Sequence, residues 1–129
     1  MQTHSYDVVI VGAAAMGSST AHFLAANPDF NGSILLIERD PSYTYSATAL
    51  SSSSIRHQFS TDINIQLSQF GTKFIKGFGQ ECEVDGVQPD LQFHENGYLY
   101  LIDEKNRHTL VENHERQKAL GADVVLLEP

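Results

Sequence analysis

The sequence predicts an α/β fold that opens with a parallel βαβ unit and then changes character. Three observations predict it. The run Asp7-Val8-Val9-Ile10-Val11 ends in the glycine-flanked turn Gly12 to Gly17; a second apolar run, Ser33 to Ile37, follows one helix later; and Asn96-Gly97 separates two alternating stretches near residue 95. The first two place strand, helix and strand within about thirty residues, the length of a right-handed crossover unit. The third is the signature of an antiparallel hairpin.

Val8 to Val11 is a continuous β-branched run, the pattern of a strand buried on both faces of a parallel sheet. From Ala15 to about Ala26 the residues are small or helix-favouring, with Met16, Thr20, Phe23 and Leu24 at helical spacing, and the segment stops before Asn27-Pro28. Asn31-Gly32 supplies turn chemistry, and Ser33 to Ile37 forms the second buried strand, closed by Glu38. Ser46 to Ser60 has the composition of a linker, but Leu50, Ile55 and Phe59 interrupt it at near-helical spacing. Ile63 to about Phe78 reads as a helix ended by Gly77 and Gly79. Gln92 to His94 and Tyr98 to Ile102 are the two arms of the hairpin. Glu104 to Leu120 is a polar amphipathic helix stopped by Gly121, and Val124 to Leu127 is a last short strand. A doubly wound sheet calls for a third parallel strand soon after the second, and here a helix and a hairpin come instead. The expected organisation is therefore residues 1–85 as one incomplete domain and 86–129 as the beginning of another, completed by further sequence or by another chain.

Composition narrows the function classes. With 16 acidic against 8 basic residues and a formal charge of −8, the chain offers no basic face for nucleic acid or anionic lipid. The 41% hydrophobic content suits a globular protein, and the first apolar run is too short for a signal peptide or membrane span. The single Cys82 has no intramolecular partner, which points to a reducing, cytoplasmic setting.

VVIVGAAAMGSST, Val8 to Thr20, carries the chemistry. In a G-x-G-x-x-G turn the first glycine makes the tight bend, the second lets the backbone approach a pyrophosphate, and the third lets helix and strand pack closely. Gly12 and Gly17 fill the first and third roles. Ala14 stands at the second, where its methyl group costs about 1 to 3 kcal/mol if it crowds the ligand, a tenfold to hundredfold loss of affinity. The diphosphate is expected at the amides of Ala15 and Met16, where free N–H groups and the helix dipole favour an anion. Glu38, twenty-one residues after Gly17 at the end of the second strand, is placed to accept both hydroxyls of an adenosine ribose and disfavours a 2′-phosphate. These features call for a dinucleotide and leave FAD and NAD both open.

Past this point the chain resembles the FAD-dependent oxidoreductases of the D-amino-acid oxidase superfamily, the branch with sarcosine oxidase, glycine oxidase and dimethylglycine dehydrogenase. The resemblance spans essentially all 129 residues. It is carried by YDVVIVGAAAMGSSTAHFLA, by LLIERD, by SATALSSSSIRHQFS and by NGYLYL. It implies a Rossmann-like FAD-binding domain followed by the start of an α+β substrate domain. By the same resemblance Glu38 meets the ribose, Arg39 and Asp40 lie near the adenosine, and Thr48, Ser51, Ser54, Ile55 and Arg56 fall near the pyrophosphate and isoalloxazine. Such proteins usually carry glycine where this chain has Ala13 and Ala14, and often at Ser53 or Ser54. The histidine that holds covalent flavin in one branch aligns near Leu50, which implies non-covalent FAD here. The implied substrate is a small amine or amino acid, oxidised by hydride transfer from the carbon next to nitrogen.

Arg56 and His57 have two readings each: groups that steer a substrate carboxylate or the flavin's charge, or a surface ion pair and a solvated histidine. Tyr98 and Tyr100 alternate with Leu99 and Leu101 as a half-buried strand would, with one tyrosine a candidate cavity wall. His94, His108 and His114 lack metal-ligand spacing, and Glu112, Glu115, Arg116 and Lys118 form a solvated helix face. Two other functions stay open from the residues alone: an NAD-binding dehydrogenase segment, and a non-catalytic chain that is truncated or completes a partner's fold.

Overall fold

A computed structural model describes residues 4–127 as two compact units, divided after Ser54. In the first unit β1 (Val8–Val11) and β2 (Ile34–Ile37) pair in parallel, Val8 opposite Ile34 and Val11 opposite Ile37, joined by helix α1 (Ala15–Ala26). Asp7 and Ser33 clasp the start of the pair: the Ser33 amide and hydroxyl each donate to Asp7 Oδ2 at 2.7 Å, and the Asp7 amide donates to Ser33 Oγ at 3.1 Å. Helix α1 ends where sequence chemistry demands it. Asn27 precedes Pro28 and takes an extended backbone (φ −74°, ψ 117°), because the proline ring excludes the helical conformation there. The reversal after α1 closes earlier than Asn31-Gly32, in a turn whose Phe30 amide donates to the Asn27 carbonyl at 3.0 Å, with Pro28 at its second position.

β1 is not buried on both faces. Val8 and Ile10 are half-buried, whereas Val9 and Val11 are 52% and 83% exposed. A strand needs a layer on each side to bury both, and the unit has a single crossover helix.

The second unit is built on α2 (Asp62–Glu81) and α3 (Arg107–Ala119), the latter entered through one 3-10 turn at Glu104–Asn106. Its core is Ile65, Ala122 and Val124, with Phe59 and Leu120 packed against them. Gln117, also buried, donates through Nε2 to the Phe59 carbonyl at 3.0 Å, and Arg116 pairs with Asp62 at 2.8 Å. α2 runs through Gly77 and Gly79 instead of stopping there. Phe70, Phe74 and Phe78 line it at i, i+4 spacing, the first pair stacked and the second edge-to-face, with centroids 6.4 and 5.7 Å apart, and such pairs support the helix past two weak formers. α3 stops as expected. Gly121 adopts φ +77°, its amide donates to the Lys118 carbonyl and that of Ala122 to Gln117, the two bonds of a Schellman cap.

The expected hairpin about Asn96-Gly97 is absent among the described residues. A two-residue hairpin turn of the favoured type needs both central residues left-handed, and only Gly97 is (φ +77°). The arms are also diverted: the Gln92 amide donates to Asp90 Oδ1, Gln92 itself is left-handed (φ 51°), and the Tyr98 carbonyl accepts from Gln58 Nε2 at 2.9 Å. A minimal hairpin does form at Asp85-Gly86, both left-handed (φ 52° and 79°), where Val84 and Val87 exchange two backbone bonds. Val124 to Leu127 is likewise not a strand: Val124 joins the core, while Val125 and Leu127 are exposed. No described helix is long and apolar enough to cross a membrane.

Candidate functional site

The turn between β1 and α1 has the geometry that its glycines prescribe. Gly12 carries φ +99° and donates its amide to the Ile37 carbonyl at 2.8 Å, closing the sheet at the bend. At Gly17 a Cβ would lie 1.7 Å from the Gly12 carbonyl oxygen and 3.3 Å from Ile10 Cγ2. Helix backbone therefore rests directly on strand backbone at that point, as the third glycine of the fingerprint requires.

Ala14 is the N-cap of α1, with φ −69° and ψ −171°. This is ordinary extended backbone, so the position imposes no conformation that only glycine can reach, and the methyl group matters solely through what it faces. No side chain caps the helix, and no acid lies in its first turn. Ala15 and Met16 are exposed residues, and their amides lie at the positive end of α1.

Two side chains fix the residue between Gly12 and Ala14. Glu38 Oε2 accepts the Ala13 amide at 2.8 Å, and Ser18 Oγ donates to the Ala13 carbonyl at 2.5 Å. The other Glu38 oxygen accepts the Asp40 amide at 2.9 Å. The amides of Asp40 first and Ala13 second hold the Glu38 carboxyl below its usual range, since they stabilise the charged form. Asp40 is lowered by the Ser42 hydroxyl and then the Ser42 amide, and Asp7 by the Ser33 amide and then its hydroxyl. Glu38 is thus an anion at neutral pH at the end of β2, where sequence spacing puts it. Its bond to Ala13 and the role of Ser18 were not foreseen; the signals were the hydroxyl one residue past Gly17 and the closeness of two strand ends in a parallel pair.

Arg39 is exposed beside Glu38. The segment carrying Thr48, Ser51 and Ser54 is a succession of turns and not a linker. Ser46 Oγ accepts the Ala49 amide, Ser51 Oγ donates to the Thr48 carbonyl at 2.8 Å, and the Ser53 amide donates to Ser51 Oγ. Ser53 is left-handed (φ 48°), the conformation glycine adopts most cheaply.

Ile55 and Arg56 open the second unit. The Arg56 guanidinium lies over the rings of Phe59, Tyr98 and Tyr100, with its carbon 5.1, 5.7 and 5.4 Å from their centroids, and no carboxylate among the described residues pairs with it. The surface ion-pair reading of Arg56 does not hold. His57 is half-buried, its Nε2 2.9 Å from Thr72 Oγ1, and so is not a solvated side chain.

A family model described as FAD dependent oxidoreductase matches residues 7–129. Among curated proteins, the chain is 38% identical to FAD-dependent oxidoreductase domain-containing protein 1 of Xenopus laevis over 126 residues, 95% of this chain and 25% of that protein. It is 39% identical to the Bos taurus protein of that name over 95% of this chain and 26% of the relative. The Drosophila melanogaster homologue is 35% identical over 98% of this chain and 24% of its own length. The chain spans about a quarter of the length of these relatives. No solved structure matches it at a significant level.

Proposed function

This chain belongs to the family of FAD-dependent oxidoreductases, and on that premise we propose that it is the FAD-binding N-terminal segment of an enzyme that oxidises an amine or amino acid at a C–N bond. The observation that carries the reading is the turn itself: Gly17 backed onto Gly12, an uncapped α1 with its amides presented, and an ionised Glu38 at the end of β2. These residues fit the adenosine diphosphate half of FAD. Ala15 and Met16 would donate to the diphosphate, while Glu38 and Arg39 would hold the adenosine end. Thr48, Ser51, Ser54, Ile55 and Arg56 are assigned to the flavin end, which is held without a covalent bond. The flavin, when bound, would supply the two-electron chemistry for oxidising the substrate carbon next to nitrogen.

Arg56 supports a substrate bearing a carboxylate. A guanidinium that lies over three rings and has no carboxylate partner among the described residues keeps its planar donor fork for an incoming anion. Residues 1–85 are assigned to the FAD-binding domain and 86–129 to the start of the substrate domain, with the remainder of a longer protein or another chain completing both. No role with nucleic acid or membrane is assigned.

The test is a visible absorption spectrum after incubation with FAD and gel filtration. Flavin bands that co-elute with the protein, and that acid precipitation releases into the supernatant, are the expected result. Retention of NAD and not FAD would overturn the reading, and flavin that stays with the precipitate would overturn its non-covalent part.

A further inference from the structure

Glu38 does more at this site than wait for a ribose. Its carboxylate bridges residues 25 apart in sequence, taking the Ala13 amide on Oε2 while Oε1 takes the Asp40 amide. On the other side of the same residue, the Ser18 hydroxyl holds the Ala13 carbonyl. Ala13 is the sole residue between the left-handed Gly12 and the N-cap Ala14, so whatever fixes it fixes the direction in which the first turn of α1 presents its amides. An ionised carboxylate has about four acceptor positions, of which the two amides use two. Two remain for hydroxyls of a ligand, and the two tasks do not compete.

We propose that Glu38, acting with Ser18 through the Ala13 peptide, is a positioning residue for the phosphate-binding turn, in addition to any contact with the ribose. The proposal rests on the dinucleotide-binding reading above and extends it. The physical reason is preorganisation: a turn already held in its ligand-bound shape does not lose conformational freedom again on binding. The side-chain amide of glutamine keeps only one oxygen, which accepts from Ala13 or Asp40 and not from both. The alanine side chain accepts from neither. A ligand that lacks ribose hydroxyls should therefore still depend on residue 38.

The experiment is calorimetric titration of the purified protein with ADP and with 2′,3′-dideoxy-ADP, for the wild type, Glu38→Ala, Glu38→Gln and Ser18→Ala. Glu38→Ala is expected to weaken 2′,3′-dideoxy-ADP by about tenfold, the scale of a charge-assisted hydrogen bond, and ADP by more. Glu38→Gln should be intermediate, and Ser18→Ala should weaken both probes by the same factor, since its hydroxyl bonds the turn. Amide hydrogen exchange reads the clamp without any ligand, and in Glu38→Gln it should speed up at Ala13 or at Asp40, whichever amide the single oxygen leaves, even if Glu38→Ala folds poorly. If 2′,3′-dideoxy-ADP binds the Glu38 variants as it binds the wild type while ADP weakens, Glu38 acts through the ribose alone and the proposal is wrong, though the dinucleotide reading stands. Unchanged exchange at both Ala13 and Asp40 also overturns it. If the wild type binds neither probe, both readings fall together.

Discussion

Gly17→Ala sets two opposed effects against each other, and the structure decides between them. Within a helix alanine is favoured over glycine by up to about 1 kcal/mol, and by less in a first turn such as that of Gly17, because it has less backbone freedom to lose. Against this, the added carbon would stand 1.7 Å from the Gly12 carbonyl oxygen, where ordinary contact begins at 3.4 Å. The obstacle is backbone at a bend already pinned to Ile37, so it cannot rotate away as a side chain would. Relief requires α1 to lift from β1 by about 1.7 Å, the difference between those contacts. Overpacking against better-placed neighbours already costs about 1 to 3 kcal/mol, so we expect a net loss of at least about 2 kcal/mol. Gly71→Ala is the internal control. It lies in α2 with nothing within 4 Å of the new carbon, so it should stabilise by about 0.5 to 1 kcal/mol. Urea unfolding followed by far-UV circular dichroism suits a chain without tryptophan. A Gly17→Ala protein as stable as wild type would refute the close helix–strand approach, and with it the reason for glycine at this position.

The glycine-replaced positions should split by backbone conformation. Ser53→Gly should stabilise by about 0.5 to 1 kcal/mol because Ser53 is left-handed, while Ala14→Gly should change stability little, because the preference for glycine at an N-cap offsets its greater freedom in the unfolded chain, yet bind FAD more tightly; equal gains in stability would contradict this. Asp7, Glu38 and Asp40 all have carboxyl groups held below their ordinary values, so the stability they contribute is present above about pH 4 and is lost as pH falls through their lower folded values. Urea midpoints from pH 7 to pH 2 should fall only at the acid end, and a midpoint that rises on acidification would contradict the sign. Ile65→Ala, at the fully buried centre of the second unit, should cost about 2 to 5 kcal/mol, and a loss under 1 kcal/mol would mean that the helices do not depend on this core.

Local chemistry was legible in the amino-acid order alone. The bend at Gly12, the extent of α1 from Ala15 to Ala26, its stop before Pro28 and the glycine cap of α3 each follow from steric limits within a few neighbouring residues. The position of Glu38 was legible for a similar reason, since a parallel crossover brings the ends of β1 and β2 side by side. Tertiary structure decided what depends on partners remote in sequence. The alternation about Asn96-Gly97 promised a hairpin, but Gln58 takes the Tyr98 carbonyl and Asp90 the Gln92 amide, and backbone groups engaged in this way do not also form a ladder. At Asp85-Gly86, where no hairpin was expected, the short flanks paired. The rings around Arg56 come from Phe59 and from Tyr98 and Tyr100, some forty residues away, and no spacing rule links them. The double use of Glu38 belongs to the same class: the sequence determined that a carboxylate ends β2, and only the fold brought the Ala13 amide to it, because a hydrogen bond requires two groups within 3 Å and amino-acid order does not set that distance.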